Sequence, residues 1–163
     1  MNGTVERLAD GYRLRFERRL HHPAAKVWAA LTEPSHLADW LADATVELVP
    51  GGKLQLCFGN TGSVVNGKVM RVLPERLFEF TWSSEEAVDT LVHWELHPNP
   101  EGCLLVMTHD FPNDLALPSM LAGWHTHLEG LPTALNGRRA DWPWERWREL
   151  HQEYQQRLAA DKR

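Results

Sequence analysis

The amino-acid sequence predicts an α+β fold in which a curved antiparallel sheet of about seven strands wraps around a long C-terminal helix. Two observations predict the sheet. Residues 12–20 alternate between apolar and charged side chains, and strand-like runs separated by turn residues follow between residues 45 and 111. A third observation predicts the helix, because apolar residues recur at helical spacing over about 115–135. A chain of 163 residues suits one domain with a single core.

Two short helices are predicted directly after the first strand, within the run Val27–Leu41. Apolar residues on either side of Pro34 have helical spacing. A proline disfavours helical geometry in the preceding residue, here Glu33, and can itself begin the next helix. The run therefore predicts one short helix before the proline and a second one after it.

A meander of six strands is predicted next, near Thr45–Val49, Lys53–Phe58, Val64–Leu73, Leu77–Trp82, Leu91–His97 and Leu104–Phe111. Clusters of Gly, Pro and Asn separate these runs, as expected for short turns. Such short connections require antiparallel neighbours, because parallel strands need long crossovers. In the last strand we expect Cys103, Leu105, Met107, His109 and Phe111 to face inward.

The long helix is predicted to end at Asn136 and Gly137, and Pro132 within it predicts a kink or a division. Asp141 is expected to cap a final helix, with Pro143 in its first turn. The sequence therefore predicts a core domain over residues 1–140 and a C-terminal helical extension over 141–163, packed on or beside that core.

Composition and motifs exclude several classes of function. A net charge of −5 argues against a general binder of nucleic acids or anionic membranes. No leader and no apolar run of about 20 residues is present, so we expect a cytoplasmic protein without integral membrane contact. The nine histidines show no ligand spacing, and no phosphate loop or nucleophile elbow occurs. We therefore expect neither a metal nor a cofactor.

Several segments, taken together, resemble bacterial homologues of the activator of heat shock protein 90 ATPase: Trp28–Leu41, Gly51–Leu54, Asn66–Arg76, Phe80–Trp82, Thr108–His109 and Gly123–Leu128. These homologues belong to the START-like superfamily, with the helix-grip fold of the birch-pollen allergen and of polyketide cyclases. The resemblance covers about Tyr12–Gly137 and implies a hydrophobic cavity between the sheet and the long helix. It also implies the superfamily's range of ligands, which includes lipids, sterols, polyketides and hormones.

The leading hypothesis is that a small hydrophobic or amphipathic molecule binds in this cavity. Inward aromatic residues can fill a core or line a pocket, and both alternatives stay open. The candidate ligand-binding residues are Trp28, Trp40, Phe58, Phe80, Trp82, Trp94, His109, Trp124 and Leu128.

Two alternatives remain. An enzyme of the same fold, of the cyclase, dehydratase or hydrolase type, would use an inward histidine. Its candidate catalytic residues are His109 and the pair His125 and Glu129, which share a helix face at i and i+4. A partner-binding or co-chaperone-like protein, or a homodimer that associates through Leu104, Val106 and the final helix, is the other alternative.

Overall fold

The computed structural model describes residues 2–84 and 87–162. In chain order, the elements are β1 (Thr4–Leu8), β2 (Gly11–Leu20), α1 (Ala24–Thr32), α2 (Pro34–Leu37), β3 (Asp43–Val46), β4 (Lys53–Cys57), β5 (Val64–Leu73), β6 (Leu77–Ser84), β7 (Ala87–Asn99), β8 (Gly102–Phe111), α3 (Leu117–Leu135) and α4 (Trp144–Asp161). The predicted α+β class, the helical pair after the first long strand and the long C-terminal helix are confirmed.

The strands form one sheet in the order β1-β2-β8-β7-β6-β5-β4-β3, and every neighbouring pair is antiparallel. The sheet has eight strands, one more than the sequence predicts. The additional strand is β1, an edge strand that forms a hairpin with β2. Its residues Thr-Val-Glu-Arg-Leu are mostly exposed and lack apolar alternation, which explains why periodicity does not reveal it.

The core lies between the sheet and α3. Cys103, Leu105, Met107 and His109 of β8 are each at most 1% exposed, which confirms the predicted inward face of that strand. They pack with inward residues of β2, β6 and β7, and with the apolar stripe of α3. Burial of these side chains removes apolar surface from water and stabilises the fold by about 1.5–3 kcal/mol for each large one.

Two details of the helices differ from the sequence prediction. Pro132 does not divide α3, because it lies in the last turn and the helix continues to Leu135. Asp141 does not cap α4, which begins at Trp144 after Pro143 in an extended conformation. Within the described ranges, no helix is both long enough and apolar enough to cross a membrane.

Candidate ligand-binding cavity

A partly open cavity of about 830 Å³ lies between the N-terminal half of α3, the ends of strands β4 to β8 and the start of α4. Aromatic side chains make up much of its wall: Phe58, Trp82, Phe111, Trp124, Trp142, Trp144 and Trp147. Five of the eight tryptophans of the chain are therefore in this one wall. Trp82 packs against both Phe58 and Trp124 in tilted arrangements, at centroid distances of 5.7 and 5.3 Å.

One face of α3 forms a side of the cavity. Met120, Gly123, Trp124 and His127 line it at positions i, i+3, i+4 and i+7, which lie on one face of a helix. Gly123 has no side chain to fill the space, and a Cβ placed there would be 3.9 Å from its nearest neighbour, Nε1 of Trp147. The apolar stripe of this helix thus fills the core, while this adjacent face leaves an opening.

The described lining is neutral. None of the lining residues is Asp, Glu, Lys or Arg. Polar groups occur as hydroxyls, amides and one imidazole, from residues that include Asn60, Thr90, Asn113, Ser119 and His127. Because an unpaired charge is costly to bury in such surroundings, the wall favours a neutral occupant.

His109 lies directly behind the wall and is fully buried. The indole N–H of Trp124 donates to Nδ1 of His109 at 3.1 Å, and since an indole nitrogen is only a donor, Nδ1 is the acceptor. Nε2–H then donates to the Thr90 hydroxyl at 2.7 Å, which in turn donates to the carbonyl of Trp82 at 3.0 Å. Burial lowers the pKa of His109 to about 3, so the imidazole is neutral.

Both ring nitrogens of His109 are therefore occupied by the protein. The residue lies outside the lining of the cavity, although Thr90 and Trp124 on either side of it belong to the lining. His109 accepts the hydrogen bond from the Trp124 indole and so fixes the orientation of a ring that lines the cavity.

His125 and Glu129 lie away from the cavity. His125 is buried, and its Nδ1 is in hydrogen-bond contact with the Tyr154 hydroxyl of α4 at 2.7 Å. That hydroxyl also accepts the N–H of Gly3 at 2.8 Å. Glu129 accepts two hydrogen bonds from Arg146 at 2.9 and 3.1 Å. These contacts attach α4 to α3 through Nδ1 of His125 and both carboxylate oxygens of Glu129, while Nε2 of His125 lies 3.8 Å from Oε2 of Glu129.

The family described as Activator of Hsp90 ATPase homolog 1-like protein matches residues 21–136, which is more than half of the chain. The chain belongs to this family. The sequence-based resemblance is thereby confirmed, and the fold is of the START-like, polyketide-cyclase type. No curated protein matches this chain.

Solved structures share the fold with this family member. CalU16 from Micromonospora echinospora is 23% identical with a TM-score of 0.77, and the match covers 97% of this chain and 94% of CalU16. MLL2253 from Mesorhizobium loti is 26% identical with a TM-score of 0.71, over 79% and 98% of the two chains. DynU16, from the dynemicin biosynthetic locus, is 25% identical with a TM-score of 0.72, over 80% of this chain and 51% of DynU16.

The structure distributes the sequence-derived candidates between cavity and core. Phe58, Trp82 and Trp124 line the cavity. Trp40, Phe80 and Trp94 border a separate void of only about 10 Å³, enough for one water. Leu128 is buried in the core, and Trp28 packs edge-on against Phe78 at 6.2 Å.

Sequence reasoning did not identify part of the wall. Trp142 precedes α4 and Trp144 is the first residue of α4, and both lie beyond the residues that match the Activator of Hsp90 ATPase homolog 1-like family. Trp144 lies three residues before Trp147, as residues on one helix face do, whereas Trp142 precedes the helix and has no periodic relation to it. The local enrichment itself, three tryptophans within six residues, is the signal that could have found them.

Two glycines of α3, Gly123 beside the cavity and Gly130 beside Ala140, test whether the structure has space for an added methyl group at the first and not at the second. We expect Gly123→Ala to stabilise the protein by about 0.5–1 kcal/mol, because alanine favours helix and the new methyl enters the cavity without a clash. Gly130→Ala should lack this gain and be at least about 1 kcal/mol less stable than Gly123→Ala, since its Cβ would lie 2.9 Å from Cβ of Ala140. Urea denaturation of both variants measures the difference. Equal stability of the two would contradict the packing described here.

Proposed function

We propose that the protein binds a neutral, largely apolar small molecule with aromatic character in the cavity between α3 and the sheet. The observation that carries this proposal is the lining itself: about 830 Å³ of space with an aromatic wall and no charged side chain among its described residues. Ligand pockets in proteins have volumes of roughly 300–1,000 Å³ and combine apolar walls with a few polar groups.

The chemistry of the wall favours an aromatic occupant. Tryptophan and phenylalanine rings offer large flat surfaces, and stacked or edge-on contacts with another ring add roughly 0.5–1.5 kcal/mol each beyond the burial of apolar area. The ring of Trp124 is already held in place by its hydrogen bond to His109, and the ring of Trp82 packs against it at 5.3 Å. A wall that is rigid before binding loses little entropy when a ligand enters.

The family agrees with this proposal. The START-like fold binds hydrophobic ligands, and DynU16, at 25% identity, comes from a biosynthetic locus for a small molecule. These relationships support a small-molecule occupant, while the neutral wall supports its chemical class.

Two fluorescent probes test the proposal, because they differ chiefly by one sulfonate. N-phenyl-1-naphthylamine is neutral and 8-anilinonaphthalene-1-sulfonate is anionic. We expect the neutral probe to bind about tenfold more tightly or better, with energy transfer from the tryptophans of the wall, since the anion would lose hydration without gaining a cationic partner. Native mass spectrometry of the purified protein would reveal a ligand that is retained from the cell.

A pair of variants locates the site. Gly123→Phe places a ring in the cavity and should weaken binding of the neutral probe by about tenfold or more. Gln152→Phe, on the exposed face of α4, adds the same side chain elsewhere and should leave binding unchanged. Absence of binding to the unmodified protein, or equal affinities of the two variants, would refute the proposal.

A further inference from the structure

His127 is the only imidazole of the described cavity lining, and its ring is held in a fixed position. It lies between two other rings, with centroid distances of 5.7 Å to Phe58 and 4.4 Å to Trp142. On one edge, Nδ1 is 3.1 Å from the backbone carbonyl of Trp40. A carbonyl oxygen only accepts hydrogen bonds, so Nδ1 carries the hydrogen and donates it.

This contact decides the chemistry of the other ring nitrogen. A neutral imidazole with its hydrogen on Nδ1 has a lone pair on Nε2, which is therefore a hydrogen-bond acceptor. The structure shows no hydrogen-bond partner for Nε2 among the residues it describes, and His127 belongs to the cavity lining. Burial lowers the pKa of His127 to about 4, so the acceptor form persists at neutral pH.

A second observation points to the same place. The indole N–H of Trp142 is buried without a hydrogen-bond partner among the described residues, and its ring packs against His127 at a tilt of 39°. Native proteins rarely leave such a donor unpaired. The unpartnered acceptor of His127 thus lies beside a ring whose own N–H is enclosed by the protein. A hydroxyl is a small neutral group that can donate a hydrogen bond to this acceptor.

We propose that His127 is the polar anchor of the cavity, and that the occupant is an aromatic alcohol or phenol whose hydroxyl donates a hydrogen bond to Nε2. This inference rests on the proposed function, because it assigns the polar part of a ligand whose apolar part contacts the aromatic wall.

The experiment compares 2-naphthol with its methyl ether, which has the same ring system but no donor. Equilibrium dialysis gives the ratio of their dissociation constants, ether over naphthol, for the unmodified protein and two variants. His127→Asn keeps a donor for the Trp40 carbonyl but has no acceptor at the position of Nε2. His127→Gln keeps an acceptor there. We expect the ratio to fall about three- to tenfold in His127→Asn and to change less than twofold in His127→Gln.

The outcomes separate this inference from the function on which it rests. An unchanged ratio in His127→Asn, with both compounds still bound, would overturn the role of His127 and leave the cavity as a binding site. Failure of the unmodified protein to bind either compound would overturn both.

A measurement on the unmodified protein covers the case in which the variants do not fold. The ¹⁵N resonance of Nε2 of His127 should shift when 2-naphthol is added and stay constant when the ether is added. An equal response to both compounds would refute the proposed hydrogen bond.

Discussion

Replacement of His109 by alanine should destabilise the protein by about 3 kcal/mol. The variant leaves the buried N–H of Trp124 without an acceptor and opens a space beside Phe111, whose ring stacks on His109 at 4.1 Å. Urea denaturation at pH 7.5 measures this loss. Natural domains have total stabilities of about 5–15 kcal/mol, so a large part of the stability depends on this one imidazole.

A surface histidine and a double-mutant cycle are the controls for His109. His97 is exposed on the same sheet, and His97→Ala should change stability by no more than about 0.5 kcal/mol. In the cycle, His109→Leu combined with Trp124→Phe removes acceptor and donor together and should cost about 1 kcal/mol less than the sum of the single changes. Strict additivity would show that the hydrogen bond contributes nothing to folding.

As the pH is lowered, the protein should unfold before the pH reaches about 4. Burial lowers the pKa values of three histidines, to about 3 for His109 and to about 4 for His125 and His127. In the unfolded chain an ordinary histidine has a pKa of about 6.5, so the unfolded state binds more protons below that pH. The stabilisation is complete above about pH 6.5 and decreases as the pH falls towards the folded-state values. Each histidine contributes a slope of up to about 1.4 kcal/mol per pH unit.

Urea denaturation at pH 7.5, 6.5, 5.5 and 5.0 tests this linkage. His127→Asn should reduce the slope of the unfolding free energy against pH by the contribution of one histidine, up to about 1.4 kcal/mol per pH unit. His36→Gln, which removes an exposed imidazole, is the matched control and should leave the slope nearly unchanged. Constant stability from pH 7.5 to pH 5.0 would show that the three imidazoles can take up protons without unfolding.

Much of the fold follows from local patterns. Alternation over residues 12–20 predicts β2, turn residues predict the meander, and helical spacing predicts α3. Strand β1 escapes this reasoning because an exposed edge strand has no apolar face to produce a pattern. Pairing with β2 forms it instead.

The sequence predicts which residues of the candidate site face inward, but not which of them line the cavity and which fill the core. Phe80 and Trp82 are two residues apart on β6 and share its inward face, as the period of a strand requires. Phe80 nevertheless packs in the filled core, while Trp82 lines the cavity. The alternation of a strand predicts which face a residue is on. The point at which α3 no longer packs against the sheet depends on the packing along the whole length of the helix.

The family, the order of the elements and the inward faces of the strands can be predicted from the sequence, because each follows from patterns among residues that are close together in the chain. The cavity and its chemistry arise from residues that are distant in the chain. The tautomer of His127 depends on the carbonyl of Trp40, 87 positions away, and the aromatic wall is completed by Trp142 from beyond the family match. Hydrogen bonds and packing between such distant groups exist only after the chain has folded, so local sequence periodicity does not predict them.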